Sequence, residues 1–164
     1  ADNTKYDKKI IQLYNKMENK MTENKMTINV KSAFTSGLVA GIIIIIIGFG
    51  LVPILGNQMN AVLENRSLPP LSNGAMGFFA FVSITFGISV IWLYALIQSK
   101  FKSKLKAAVV SAIIFWFYAY FLPNAALVAY GVMPFSLSAI GTAWGVLEVL
   151  IASIVGSRLY KEVK

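Results

Sequence analysis

Residues 32–56 form a run without a single charged side chain, and this run includes six consecutive isoleucines at positions 42–47. About 20 apolar residues are enough to cross the hydrocarbon core of a bilayer as a helix. In water so many β-branched residues would favour a buried strand. Inside a bilayer each backbone amide needs a partner within its own segment, and that requirement selects a helix. The run therefore predicts a transmembrane helix.

Three further stretches of this kind complete the predicted architecture. They cover residues 75–98, 107–131 and 135–159, and the last contains Glu148 and Arg158 as its only charged side chains. Charged residues make up 13% of the chain, whereas a soluble domain has about 25%. We therefore expect an all-α fold, in which a four-helix transmembrane bundle over residues 32–164 follows a polar amphipathic extension over residues 1–31.

Positive charge is distributed very unequally over this topology. Of the 15 Lys and Arg residues, 14 fall before the first span, in the second loop or at the carboxyl end, and only Arg66 lies elsewhere. Because positively charged loops stay cytoplasmic, both termini and the second loop are predicted to be cytoplasmic, with residues 57–74 and 132–134 outside. The lysines of the second loop are expected to contact anionic lipid headgroups rather than nucleic acid, and they are Lys100, Lys102, Lys104 and Lys106.

The amino-terminal extension carries apolar residues at helical spacing. They recur every three or four residues and so share one stripe, and they are Tyr6, Ile10, Leu13, Tyr14, Met17 and Met21. Two interpretations remain open. One is a helix that lies on the membrane or docks on a partner, and the other is a largely disordered tail of low hydrophobicity.

The chain contains no cysteine and no histidine. This composition removes disulfides, thiolate nucleophiles, imidazole bases and the usual ligands of zinc, haem and iron–sulfur clusters. The sequence also has no Gly-rich phosphate-binding motif. We therefore predict that the protein is not an enzyme and that it uses neither a metal nor a cofactor.

Glu148 is the single acidic residue inside a predicted span, close to its middle. An unpaired charge there costs about 2.5–3.5 kcal/mol on insertion scales, so hydrogen-bond partners are expected. Thr85, Ser89 and Tyr118 lie at similar depth, and with Glu148 they form the predicted intramembrane polar cluster; the Trp144 indole is a further donor. In the role we favour, Glu148 fastens helices together. In the competing role it exchanges protons with a substrate or ion, as in small four-helix multidrug transporters.

Small residues at regular spacing mark one face on each of two spans. Such spacing lets helix backbones approach closely. The predicted packing residues are Gly37, Gly41 and Gly48 on the first span and Gly141, Gly145, Ala152 and Gly156 on the fourth. Packing inside the bundle is the favoured interpretation, and a homodimer or a docking face for another subunit is the alternative.

The third span combines dense aromatic residues with a proline. Six of the seven residues at positions 115–121 are aromatic, and Pro123 follows. Such a cluster can line a site for a quinone or pigment, but it more often supplies lipid-facing bulk and core, and no cofactor is predicted. Because proline cannot donate a backbone hydrogen bond and clashes with the preceding turn, we expect the third helix to kink or end near the outer face.

Five short motifs lie between Pro69 and Glu162. They are Pro69-Pro70-Leu71-Ser72-x-Gly74-Ala75-Met76, Trp92-Leu93-Tyr94-Ala95, Leu122-Pro123-Asn124, Trp144-Gly145-x-x-Glu148-Val149-Leu150 and Gly156-x-x-Leu159-Tyr160-Lys161-Glu162. Together they make the chain, over about residues 32–164, similar to a family of small four-span integral membrane proteins of bacteria. That resemblance implies a multi-pass protein of the bacterial inner membrane. The family has no assigned activity, so no functional residue is carried over.

These features predict a non-catalytic integral membrane protein that acts as an accessory or assembly subunit of a larger membrane complex, or forms its own oligomer. Reactive side chains are missing from the sequence, whereas packing faces and an amphipathic extension are present. The alternative is a small proton- or ion-coupled transporter or channel that uses Glu148. The expected partners are the lipid bilayer and other membrane subunits or further copies of the chain.

Overall fold

The fold is all-α, and a computed structural model describes residues 10–18 and 28–163 of it. Residues 10–18 are helical. The helices that follow are α1 (Val30–Phe49), α2 (Val52–Glu64), α3 (Asn73–Ile97), α4 (Lys104–Trp116), α5 (Leu122–Ala129) and α6 (Phe135–Leu159), with a π-helical turn at Phe117–Phe121 between α4 and α5. Four stretches are long and apolar enough to cross a membrane, namely Val30–Phe49, Asn73–Lys100, Lys104–Ala129 and Phe135–Leu159. The chain is therefore an integral, multi-pass membrane protein.

Polar contacts tie three chain segments together at one end of the bundle. The Asn29 N–H donates to the Tyr160 hydroxyl at 3.1 Å. Lys104 Nζ lies 2.8 Å from Glu162 Oε1. This end, called the lysine end below, carries Lys31, Lys100, Lys102, Lys104, Lys106, Arg158 and Lys161.

The opposite end, called the arginine end, carries a different contact. There Arg66 Nη2 donates to the Gly131 carbonyl at 2.7 Å and joins the α2–α3 connection to the α5–α6 connection. The bundle therefore has one strongly basic end and one end with a single arginine among the described residues. That the lysine end is cytoplasmic stays a prediction.

Helices α1 and α3 cross with their backbones in direct contact. A Cβ atom added to Gly37 would lie 2.5 Å from Ile88 Cα, and one added to Gly41 would lie 2.6 Å from Ile84 Cα. On the facing helix, a Cβ atom on Gly87 would overlap the backbone N and Cα of Gly41. Small residues allow helices in lipid to approach this closely. The crossing lies in the half of the bundle nearer the lysine end, and it fixes α1 against α3.

The first span is broken rather than continuous to residue 56, which corrects the predicted bounds. Helix α1 ends at Phe49, and α2 begins at Val52. Pro53 explains the break, because it has no N–H to donate and its ring clashes with the carbonyl four residues earlier, at Phe49. Around the break the Gly50 N–H donates to Ile47 O at 3.0 Å, so the last turn tightens. Residues 57–64, predicted as part of an outer loop, belong to α2.

The third span also departs from a regular α-helix, but it does not end at Pro123. The Leu122 N–H donates to Phe117 O, five residues earlier, which defines the π turn. A widened turn leaves room ahead of the proline ring, and such turns occur as single insertions within α-helices. The helix therefore continues through α5 to Ala129.

The second and fourth spans lie close to their predicted bounds. The second was predicted at 75–98, and α3 covers Asn73–Ile97 with Ser72 accepting a hydrogen bond from the Ala75 N–H at 3.1 Å as its N-cap. The fourth was predicted at 135–159, and α6 has these same limits. Both helices carry apolar side chains on every side, as expected of helices surrounded by protein and lipid.

The described part of the amino-terminal extension is helical and exposes its apolar side chains. Within residues 10–18, the exposed fractions are 50% for Ile10, 54% for Leu13 and 67% for Tyr14. Tyr6 and Met21, two members of the predicted stripe, lie outside the described residues. The helical interpretation of this segment therefore fits the structure, while its docking partner stays a prediction.

Candidate functional site

Glu148 lies inside the bundle at the middle of α6, and only 6% of its surface is exposed. Its Oε2 accepts a hydrogen bond of 2.9 Å from the Tyr120 hydroxyl, which belongs to the π turn of the third span. Its Oε1 lies against α1, 3.4 Å from the position that a Cβ atom on Gly48 would occupy. One carboxylate oxygen is therefore held by a neighbouring helix. Among the described residues, the other oxygen accepts no hydrogen bond.

A cavity of about 400 Å³ adjoins this carboxyl. It lies between the arginine-end half of α1 and the first half of α3, with Glu148 contributed by α6. Its polar wall residues are Ser83 and Glu148, and Ser83 already donates its hydroxyl to Phe79 O at 2.9 Å. The remaining wall residues are Ile44, Ile45, Gly48, Phe49, Val52, Leu71, Met76, Phe79 and Ala80. We call this space the Glu148 cleft.

The shape of the Glu148 cleft follows from the crossing of α1 and α3. The two helices touch through Gly37, Gly41 and Gly87, nearer the lysine end. Towards the arginine end the space between them is lined by both helices and is not filled by their side chains. The glycine crossing therefore closes the space on the lysine side, and the cleft lies on the arginine side of it.

A second cavity of about 360 Å³ adjoins the Glu148 cleft on its arginine side. The two share Gly48, Val52 and Leu71 as wall residues. The second cavity is also lined by Ser138, whose Oγ is buried and has no hydrogen-bond partner among the described residues. Polar wall atoms therefore lie along α6 from near its start to Glu148.

Both departures from regular helix meet at Glu148. Helix α1 ends at Phe49, one residue after Gly48, and Gly48 faces Oε1 of Glu148. The π turn carries Tyr120, whose hydroxyl donates to Oε2. Non-helical backbone within a membrane occurs where it lines a cavity or is buried in protein, and π turns are frequent at functional sites. The local backbone therefore shapes the surroundings of Glu148.

The predicted hydrogen-bond partners of Glu148 are wrong. Tyr118 is 67% exposed on the outside of the bundle. The Thr85 hydroxyl donates to Phe81 O at 2.9 Å and the Ser89 hydroxyl donates to Thr85 O at 2.8 Å, so both bond within α3. The indole N–H of Trp144 donates to Ile47 O at 3.1 Å instead of to the carboxyl. The structure places Tyr120 where Tyr118 was expected.

Tyr118 was predicted from its depth in the membrane alone. Depth is not sufficient, because the side chain must also point towards the inside of the bundle. At about 100° per residue, Tyr118 lies roughly 120° around the helix from buried Ala112, whereas Tyr120 lies roughly 80° from it. The buried residues of α4, which include Ala108, Ser111 and Ala112, mark the inner face. The spacing of these small residues was a signal in the sequence for the inner face of α4, but the π turn at Phe117–Phe121 adds a rotation that the spacing does not give.

The small residues of α6 and α1 lie mostly at helix contacts. A Cβ atom on Gly156 would lie 2.5 Å from Ile91 Cδ1, and one on Gly145 would overlap the ring of Tyr120. Ala152 is fully buried. Gly141 differs, because a Cβ atom there would have no neighbour within 4 Å among the described residues, and it lines the second cavity. Gly87, which completes the α1–α3 crossing, was not among the predicted packing residues. Ser83 and Gly87 have the four-residue spacing of small residues that marked the packing faces of the other two spans.

The remaining predicted residues lie on surfaces. The side chains of Lys100, Lys102, Lys104 and Lys106 are all exposed at the lysine end, where a headgroup can reach them. The aromatic residues of the third span divide between the two sides of the helix: the Phe115 ring packs on Phe86 at 5.2 Å, whereas Phe117 and Phe121 stack at 5.3 Å and are exposed. Residues 10–18 and 28–163 contain no group of three acidic, His or Cys side chains placed to hold a metal ion.

Comparisons of the chain with protein-family models, with curated proteins and with solved structures give no match. The resemblance to small four-span bacterial membrane proteins therefore stays a prediction, and the functional conclusions rest on the geometry around Glu148.

Proposed function

We propose that this integral membrane protein is a non-catalytic, transporter-type binding protein in which Glu148 binds a proton or a cationic ligand. The observation that carries the proposal is the position of the free carboxylate oxygen. Glu148 is 6% exposed, Tyr120 holds its Oε2, and its Oε1 lies beside Gly48, which lines the same cleft of about 400 Å³ as Glu148. Membrane-embedded acidic residues that face a cavity commonly mark ion or substrate pathways.

The broken first span supports the same function. Irregular backbone at membrane depth is tolerated where it lines a cavity. Here α1 ends at Phe49 and α2 begins at Val52, and both residues line the Glu148 cleft. A carboxyl that served only to fasten helices would need neither an adjoining cavity nor a helix break.

Carbodiimide labelling tests this proposal, because the reagent reacts with protonated carboxyls that it can reach from lipid. We expect dicyclohexylcarbodiimide to modify Glu148 in proteoliposomes, with the site identified by mass spectrometry. The Glu148→Gln variant should lose the label. Its free energy of unfolding should fall by no more than about 1 kcal/mol, since the amide oxygen still accepts from Tyr120. Absence of labelling in the wild-type protein would show that Glu148 is a structural residue.

A second function, as an accessory or assembly subunit or a homo-oligomer, is favoured by a separate observation. Residues 10–18 form a helix with exposed apolar side chains, including Leu13 and Tyr14. An amphipathic helix of this kind can dock in a hydrophobic groove of a partner or lie on the membrane surface.

Native mass spectrometry after purification in mild detergent tests the second function. If the chain is such a subunit, we expect a complex with another chain or a defined oligomer, and we expect Leu13→Lys to release it because a charge enters the apolar face. Asn15→Lys, which places the same charge on the polar side of this helical segment, is the control. A monodisperse monomer for the wild-type chain would rule out stable assembly.

A further inference from the structure

The walls of the Glu148 cleft restrict which ligand can bind there. The polar side chains that line the cleft are those of Glu148 and Ser83, and none of the described lysines or arginines lines it. A carboxylate in an apolar environment is costly unless it is protonated or paired with a positive charge. Charge complementarity therefore favours a monovalent cation.

The coordination chemistry of the cleft argues against a bare divalent metal ion. Calcium takes six to eight oxygen ligands and magnesium an octahedral set. Glu148 and Ser83 are the polar residues in the wall, and the described residues provide no group of three metal-binding side chains. The other nine wall residues are apolar or glycine, and they match an organic ligand body.

The mouth of the Glu148 cleft opens sideways from the bundle. Its walls include Phe49, Met76 and Phe79, which are 60%, 46% and 55% exposed on the outer surfaces of α1 and α3. These surfaces face hydrocarbon once the spans lie in a bilayer. A ligand that is already dissolved in the membrane can therefore reach Glu148 between the two helices, while the Gly41–Gly87 contact closes the space towards the lysine end.

We propose that the Glu148 cleft binds a lipophilic monovalent organic cation from the bilayer. Its positive charge lies at Glu148 Oε1, and its apolar body packs between α1 and α3. The volume of about 400 Å³ suits a small organic molecule. This inference rests on the proposed function, because it requires that Glu148 be reachable from the cleft.

Two ions of the same shape and opposite charge test the ligand class. Tetraphenylphosphonium should slow the carbodiimide labelling of Glu148 in proteoliposomes, whereas tetraphenylborate at the same membrane concentration should not. By equilibrium binding to protein in lipid nanodiscs, Glu148→Gln should raise the dissociation constant for tetraphenylphosphonium by about tenfold or more. Tyr118→Phe, a change on the lipid-facing surface, should leave binding unchanged.

The outcomes separate the two proposals. If carbodiimide labels Glu148 but neither ion protects it, or both protect it equally, the ligand class is wrong and the accessible carboxyl stands. If Glu148 is not labelled at all, both proposals fail. Should Glu148→Gln not fold, the comparison of the two ions on the wild-type protein still decides the ligand class.

Discussion

Gly87→Ala is expected to destabilise the bundle by about 3 kcal/mol, at the upper end of the usual cost of overpacking. The added methyl group would overlap the backbone of Gly41 and approach the Gly37 carbonyl oxygen. Backbone atoms cannot rotate away as a flexible side chain can, so α1 and α3 would have to separate. Separation would also loosen the contacts of both helices with α6, because Gly156 packs against Ile91 and Ala40.

The matched control for this variant lies on the same helix. Gly77→Ala makes the same chemical change ten residues earlier, where a Cβ atom would have no described neighbour within 4 Å. It should be neutral or slightly stabilising, since alanine favours a helix by about 1 kcal/mol over glycine. SDS titration in mixed micelles, followed by tryptophan fluorescence, measures both variants. Equal stability of Gly87→Ala and Gly77→Ala would contradict the close crossing.

Tyr120→Ala is expected to cost about 3 kcal/mol, the lower end of the range for aromatic truncation in protein cores. The lower end applies because lipid tails are as apolar as the ring, so the loss is mainly of packing. The ring lies against α6 at Gly145, and its centroid is 5.7 Å from that of Phe86 on α3. Its hydroxyl also binds Glu148. Removal of this side chain therefore removes contacts of the third span with both α3 and α6.

Two variants separate the ring of Tyr120 from its hydroxyl. Tyr120→Phe removes only the hydrogen bond to Glu148 and should cost about 1 kcal/mol, as hydrogen bonds between membrane helices do. Tyr118→Ala truncates the neighbouring exposed tyrosine and should change stability by less than about 0.5 kcal/mol. The same SDS titration reports all three. A loss in Tyr118→Ala as large as in Tyr120→Ala would mean that the inner face of the third span is wrongly assigned.

Sequence reasoning located the four spans because the free energy of inserting a segment into hydrocarbon depends mainly on the residues of that segment. The run of isoleucines at 42–47 and the uncharged stretch at 135–159 carry that information without reference to the rest of the chain. It also identified Glu148, since a lone acidic residue in an apolar span stands out wherever it packs. The glycines of α1 and most of the small residues of α6 were found for the same reason, by their spacing along one helix.

The hydrogen-bond partner of Glu148 could not be predicted from single segments of the sequence. Which tyrosine reaches the carboxyl depends on the rotation of the third span, and that rotation is set by the contacts of α4 with α6 and by the π turn at Phe117–Phe121. The break in the first span could be anticipated from Pro53. That the break lies beside Glu148 could not, because it requires the antiparallel alignment of α1 with α6.

The sequence alone determined that this chain is a four-span, all-helical membrane protein with one buried acidic residue, because hydrophobicity and helical spacing act within single segments. Only the tertiary structure decided that Glu148 bonds to Tyr120, that Glu148 and Gly48 line a cleft, and that Gly87 closes the space on the lysine side. Those properties arise where three helices meet, and the distances between helices are fixed by interlocking side chains that are far apart in the chain.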